Sequence, residues 1–231
     1  MNTKKEQKEL TIVIPAYQSE KTIKNTILSL IKYFPQAEII IINDGSTDNT
    51  KEIKDIFQEQ IVYLANETNK GKGYSLRKGF AQAQGKYIIF TDADLPFKVQ
   101  DIERVFQKLK QGNAIVIARR EEFYNDVFYK KLFRPFLYLI LYLLFGFKYL
   151  DTQCGLKGFN TQAGKKILSA SITNEFAIDI EILYLARKLN YPITEIMVKQ
   201  ELFSASTFRL MHMFRMFTDL FKIKFHHYEI S

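Results

Sequence analysis

Residues 86–95 read KYIIFTDADL. An apolar, β-branched run that ends abruptly in Thr-Asp-x-Asp predicts a buried strand that opens onto a polar edge. Two earlier runs have the same form, LTIVIP at 10–15 and EIIIIN at 38–43, each followed by turn signals. Weaker strand patterns lie at 61–64 (IVYL) and 114–118 (AIVIA). Helical periodicity fills the intervals at about 19–34, 47–59, 73–84 and 99–111. Strand alternating with helix predicts right-handed crossovers and a doubly wound, mostly parallel α/β sheet with flanking helices.

Beyond residue 120 the pattern changes. A long apolar, aromatic helix is expected near 126–147, then a polar, Gly-containing loop, DTQCGLKGFN, at 151–160. Helices near 161–170 and 178–190, a strand near 193–199 and a basic, aromatic helix near 207–224 complete the chain. With no repeat and no linker-like stretch, the 231 residues read as a single domain.

The formal net charge is +8. A basic balance points to anionic partners such as phosphorylated substrates or anionic lipid. The charge is not clustered as in nucleic-acid binders, and neither zinc-finger spacing nor an RNA-recognition signature accompanies it, so nucleic acid is not expected as a partner. Cys154 is the only cysteine, which excludes an internal disulfide and a multi-cysteine metal site. The N-terminal MNTKKEQKEL lacks the apolar core of a signal peptide. The longest apolar run, FLYLILYLLFGF at 136–147, is short of the roughly 20 residues that span a bilayer as a helix.

In open α/β sheets ligands bind beyond the carboxyl ends of the strands. Three such ends carry polar groups here: Pro15-Ala16-Tyr17 with Glu20, Asn43-Asp44-Gly45-Ser46, and Thr91-Asp92-Ala93-Asp94. Carboxylates are hard ligands that suit Mg²⁺ or Mn²⁺, and magnesium commonly takes one or two of them and fills its shell with water and substrate phosphates. Asp92 and Asp94 are therefore the candidate metal ligands, with a nucleotide diphosphate supplying the phosphates. Asn69-Lys70-Gly71-Lys72-Gly73 precedes a helix, a setting that attracts anions. It fits neither the P-loop nor the dinucleotide fingerprint.

Taken together, IVIPAYQSEKTI, IIINDGSTDNT, NKGKGYSLRKGF and YIIFTDADL resemble, in order and spacing, the family 2 glycosyltransferases of the GT-A nucleotide-diphospho-sugar transferase fold. The likeness covers roughly the first half of the chain. Gln18-Ser19 stands where many members have Asn-Glu. In the second half, DTQCGLKGFN, NEFAIDIEILYLARK and PITEIMVKQELFSASTF resemble the dolichyl-phosphate β-glucosyltransferases and related polyprenyl-phosphate glycosyltransferases. There Ser-Ala-Ser-Thr stands where the glucosyl enzymes usually have Gly-Ser-Lys.

The resemblance implies residue roles. Pro15, Ala16, Tyr17, Glu20, Asp44, Gly71, Lys72 and Asp92 would bind the nucleotide-sugar, and Asp92 with Asp94 would hold the metal. Asp94, Asp179 and Arg119 would be catalytic. Arg119, Arg134, Gln153, Lys157 and Ser206 would face the acceptor, with Cys154 and Gly155 in the same loop. Plainer alternatives stand beside these: Tyr17 packing on the sheet, Arg119 and Arg120 as a solvated pair, Asp179 as an acid favoured at a helix start. The implied function is inverting transfer of a hexose, glucose from UDP-glucose, onto a polyprenyl or dolichyl phosphate. A saccharide acceptor in surface-polysaccharide assembly, or a silent membrane-binding scaffold of the same fold, are the competing readings.

A polyprenyl acceptor requires a membrane surface. VFYKKLFRPFLYLILYLLFGF at 127–147 joins Lys130, Lys131 and Arg134 to an apolar stretch, and the segment 208–228 again mixes basic residues with Phe, Met and Leu. Both suit the interface plane; the alternative is core helices or a contact between copies in a homo-oligomer. The expected location is peripheral, on the cytoplasmic side.

Overall fold

The structure, a computed structural model, describes residues 8–121, 138–147, 151–200 and 210–227. Arg134, Ser206, Lys130, Lys131 and the first part of the expected apolar helix lie outside the described residues. Strands β1 (Leu10–Ala16), β2 (Glu38–Asn43), β3 (Val62–Ala65), β4 (Tyr87–Phe90), β5 (Ile115–Arg120), β6 (Lys157–Asn160) and β7 (Ile193–Val198) form one sheet of order β3-β2-β1-β4-β6-β5-β7. Helices are α1 (Ile23–Tyr33), α2 (Ile53–Phe57), α3 (Lys72–Gln82), α4 (Val99–Lys110), α5 (138–145), α6 (Thr161–Ala170), α7 (Ile178–Lys188) and α8 (Leu210–His226).

Alternate side chains of each strand feed opposite cores. Ile12, Ile14, Ile39, Ile41 and Ile89 pack with α1, α2 and α4. Val13, Ile40, Ile42, Ile88 and Phe90 pack with α3, α5, α6, α7 and α8. Strands covered on both faces are close to continuously apolar, which is why all four isoleucines of EIIIIN are buried, while its polar ends are hydrogen-bonded, Glu38 by Thr11 Oγ1 at 2.6 Å and Asn43 to Tyr63 Oη at 2.8 Å.

The mostly parallel sheet has one exception. Residues 151–160 are expected as a loop, yet Lys157–Asn160 is a strand, inserted antiparallel between β4 and β5. Four residues with a single large apolar side chain carry too weak a periodicity to reveal it. Tertiary packing admits it because Gly158 is bare: a Cβ there would lie 2.4 Å from Val105 of α4.

The apolar α5 is two-faced. Leu141 and Phe145 are buried, while Leu139, Tyr142 and Leu143 are 53%, 57% and 70% exposed. On α8, Met216, Leu220 and Ile223 are buried while Phe221 and Phe225 are exposed. Among the described residues no helix is long and apolar enough to cross a membrane.

Candidate active site

The parallel strands β1, β2 and β4 deliver their carboxyl ends to one edge. Gln18 stitches two of the emerging loops together: its backbone N–H donates to Ser46 Oγ at 3.0 Å and its amide to Thr47 Oγ1 at 2.8 Å. Glu20 accepts from the Asn49 N–H at 3.2 Å. Ala16 is buried, Pro15 half-buried and Tyr17 exposed on the same rim.

Asp44 is buried, and its carboxylate accepts from Asn66 Nδ2 at 2.7 Å, Lys70 N at 2.9 Å and Gly71 N at 2.8 Å. It therefore shapes the loop that starts α3. Gly71 has φ +93°, and a Cβ there would lie 2.3 Å from the Asn174 carbonyl oxygen, so glycine is needed on both counts.

That loop sets Lys72, the first residue of α3, inside a line of alternating charges. The Lys72 ammonium lies 3.0 Å from Asp92 Oδ1 and 3.1 Å from Asp179 Oδ2. Asp179 Oδ1 in turn meets Lys157 Nζ at 2.5 Å, and Lys157 also donates to the Cys154 carbonyl at 2.6 Å. Both ammonium groups sit over the Phe90 ring, 5.5 Å and 5.4 Å from its centre. Burial alone would raise the Asp179 pKa, but Lys157 and Lys72 outweigh it and hold the carboxyl below its usual range. Burial alone would lower Lys72, but Asp179 and Asp92 outweigh it and raise the ammonium above its usual value.

Asp92 is the exposed end of this line, its side chain 37% accessible. Asp94 follows on a tight turn, partly exposed; Leu95 N donates back to the Asp92 carbonyl, and Thr26 Oγ1 holds the Ala93 carbonyl. Among the described residues no group of three or more His, Cys, Asp or Glu could hold a metal by itself. Two partly exposed carboxylates, one already facing an ammonium, fit a hard divalent cation that takes the rest of its shell from phosphate and water.

Gly155 explains how Asp92 is seated. Phe90 and Ile117 both pair with Lys157 across β6. Continuing that register two residues sets Gly155 between Asp92 and Arg119, and a Cβ on Gly155 would lie 1.8 Å from Asp92 Oδ2. The Asp92 carboxylate thus leans over a bare backbone. Arg119, a third exposed, has a long 3.9 Å contact with Glu195 of β7.

The structure places several residues otherwise than expected. Lys157, expected at the acceptor, has no exposed side-chain surface and binds Asp179. Asp179, expected as a catalytic carboxylate, has both oxygens engaged by ammonium groups. Gln153 reaches Met216 Sδ at 3.1 Å, tying the loop to α8. Arg120 is half-buried and committed to an ion pair: it holds the buried Asp151 through Nε at 2.8 Å and Nη2 at 2.9 Å. Burial pushes the Cys154 thiol up to about 12, so it stays protonated, and its carbonyl is what the site uses. The pairing of Glu181 with His227 has no local signal in the sequence: both are fully buried, 2.7 Å apart, and 46 residues of chain separate them.

Residues 11–173 match the profile of Glycosyl transferase family 2. The chain is 30% identical to a dolichyl-phosphate beta-glucosyltransferase of Trichomonas vaginalis, over 94% of this chain and 73% of that protein. It is 33% identical to the dolichyl-phosphate beta-glucosyltransferase of Saccharomyces cerevisiae, over 81% of this chain and 65% of that protein. In fold it is similar to glucosyl-3-phosphoglycerate synthase of Mycobacterium tuberculosis, solved with Mn²⁺, UDP and glucosyl-3-phosphoglycerate. That match has a TM-score of 0.70 at 18% identity and covers 94% of this chain and 78% of that one. Mannosyl-3-phosphoglycerate synthase of Rubrobacter xylanophilus aligns at TM-score 0.69 and 16% identity, over 93% and 72% of the two chains.

Proposed function

The chain belongs to glycosyl transferase family 2, and we propose that it transfers glucose from UDP-glucose onto a polyprenyl phosphate with inversion at the anomeric carbon. The observation that carries the acceptor class is the state of Asp179. A hydroxyl acceptor must lose a proton, and a carboxylate pinned between two ammonium groups is a poor base. A phosphate monoester has a second pKa near 6 and is largely ionised at neutral pH. The relatives that carry the name dolichyl-phosphate beta-glucosyltransferase support the same acceptor and sugar.

An acceptor phosphate oxygen attacks the anomeric carbon as the bond to the UDP oxygen breaks, and UDP leaves from the opposite face. The chain's part is electrostatic. Lys72 brings positive charge to the diphosphate side, and Arg119 stands across Gly155 to receive the acceptor phosphate. Asp44 fixes the loop over which the nucleotide lies. Asp92 and Asp94 would hold Mg²⁺ or Mn²⁺, which supplies Lewis-acid charge to the leaving diphosphate. The Mn²⁺ and UDP in the M. tuberculosis neighbour support that assignment.

The lipid acceptor is met at a membrane surface, with the protein peripheral on its cytoplasmic side. The exposed Leu139, Tyr142 and Leu143 of α5, and Phe221 and Phe225 beside Lys222 and Lys224 of α8, supply apolar contact and cations. The test is UDP release from UDP-glucose with polyprenyl phosphate and, separately, with soluble glycan acceptors. Turnover with the lipid phosphate alone is expected; turnover with glycans alone overturns the acceptor assignment.

A further inference from the structure

Lys157 poses a physical question. Its side chain has no solvent exposure, and it stands in the sheet between Phe90 and Ile117, where an apolar residue would be the ordinary choice. An unpaired buried ammonium is strongly unfavourable, so its position is dictated by its anion. Two separate lines run from Lys157 to Asp92. In the first, Lys157 takes Asp179 Oδ1, which leaves Oδ2 for Lys72, and Lys72 then reaches Asp92 Oδ1 at 3.0 Å. Without Lys157 the Asp179 carboxylate could turn both oxygens to Lys72 and draw it off Asp92. In the second, Lys157 holds the Cys154 carbonyl, which fixes the backbone entering Gly155, the residue over which the other Asp92 oxygen lies.

We propose that Lys157 is a positioning residue, with Asp179 as its fixed counter-ion, and that the pair sets the orientation of the Asp92 carboxylate from both sides. Neither touches substrate. The assignment rests on the proposed transferase function in giving Asp92 a divalent cation to hold, and it gives Asp179 the part of a fixed counter-ion.

Lys157→Met, Asp179→Asn and the double variant decide it, with three readouts: Mn²⁺ affinity by electron paramagnetic resonance, thermal midpoint, and turnover. Lys157→Met keeps the Asp179–Lys72 pair and folds, but Mn²⁺ binding weakens roughly 10–100-fold, the range for residues that orient metal ligands from behind. Asp179→Asn leaves two buried ammonium groups without their shared anion and is the worst of the three. Removing Lys157 as well relieves that conflict, so the double variant regains at least about tenfold in turnover over Asp179→Asn. Unchanged Mn²⁺ affinity in Lys157→Met overturns the proposal, since a merely structural defect lowers the midpoint without altering the metal affinity of folded protein. A double variant no more active than Asp179→Asn also overturns it, because a lost base is not restored by removing a lysine. Should Asp179→Asn fail to fold, Lys157→Met alone decides. If the wild type uses no nucleotide-sugar, the function fails and the Mn²⁺ measurement still judges the positioning role.

Discussion

Asp179 and Glu181 are both buried acids in the first turn of α7, two residues apart, and they do opposite work. Asp179 is bracketed by two lysines, and its line of charge ends at the half-open Asp92. Glu181 meets uncharged donors of the backbone and a hydroxyl: Ile172 N at 2.8 Å, Thr173 N at 2.9 Å and Thr173 Oγ1 at 2.5 Å, with His227 Nε2 at 2.7 Å closing the set. The loop it holds presses on α3, where Gly73 N donates to the Asn174 carbonyl at 2.6 Å and Arg77 grips the Thr173 carbonyl at 2.6 Å. Surrounded by backbone donors and the chain's far end, a carboxylate is a brace. Surrounded by ammonium groups on a route to the surface, it is part of an electrostatic device. A helix turn of about 200° between residues i and i+2 is enough to separate the two.

The comparison breaks first at the functional end. Asp94→Ala, or chelation of divalent ions, is expected to cut turnover roughly a thousandfold, about 4 kcal/mol of transition-state stabilisation, while the thermal midpoint stays put. Steady-state rates and a melting curve on the same sample check this, and full activity of the variant removes the metal assignment.

The brace answers in the other currency. Glu181→Gln should lower unfolding free energy by about 3 kcal/mol, as expected when one member of a buried, hydrogen-bonded cluster is spoiled. His227→Ala should lose less, about 1–2 kcal/mol, because the backbone donors to Glu181 survive. Urea titration measures both, and folded protein at low temperature should keep its turnover within about threefold. A thousandfold loss in a fully folded Glu181→Gln sample would erase the distinction between the two acids.

Acidity sharpens the contrast. Because the folded pKa of Asp179 is depressed, its contribution to stability is present above the unfolded value, near 3.9, and is lost as pH falls through the folded one. In wild type that contribution should be constant between pH 8 and 5 and be lost below about pH 4, and Asp179→Asn should lack this part of the acid-side fall. Urea titration as a function of pH measures both, and an acid-side fall of equal size in the variant would show that Asp179 is not the group responsible.

The smallest effect is expected at the exposed face of α5. Leu139→Glu with Leu143→Glu should change stability by no more than about 0.5 kcal/mol, as for other surface changes. Flotation with anionic liposomes should nevertheless show weaker binding, with salt weakening wild-type binding but not abolishing it. Unaltered flotation would return α5 to a role in packing alone.

Much of this protein is legible from local pattern. The apolar runs 10–15, 38–43 and 86–91 give the central strands, and the abrupt Asp-x-Asp marks the polar edge of the sheet, because burial on two faces and a sharp polar stop are written in neighbouring residues. The β6 strand is not legible, since KGFN has no period to read and its pairing is granted by bare glycine against α4. The acids and lysines of the site were visible as residues but not as partners. Lys157 reads as an acceptor-facing cation in a loop, and Asp179 as a catalytic carboxylate or an acid at a helix start.

Local sequence pattern is enough for the α/β order, the sheet edge that gathers the polar strand ends, and the Asp92–Asp94 pair on it. Which charges meet is settled by the tertiary fold alone. Lys157 and Asp179 are 22 residues apart, Glu181 and His227 46, and Lys72 and Asp179 107. Helix and strand periods are set by contacts within a few residues. The state of a buried charge is set by whichever opposite charge the fold carries to within about 3 Å of it, and that neighbour can come from anywhere in the chain.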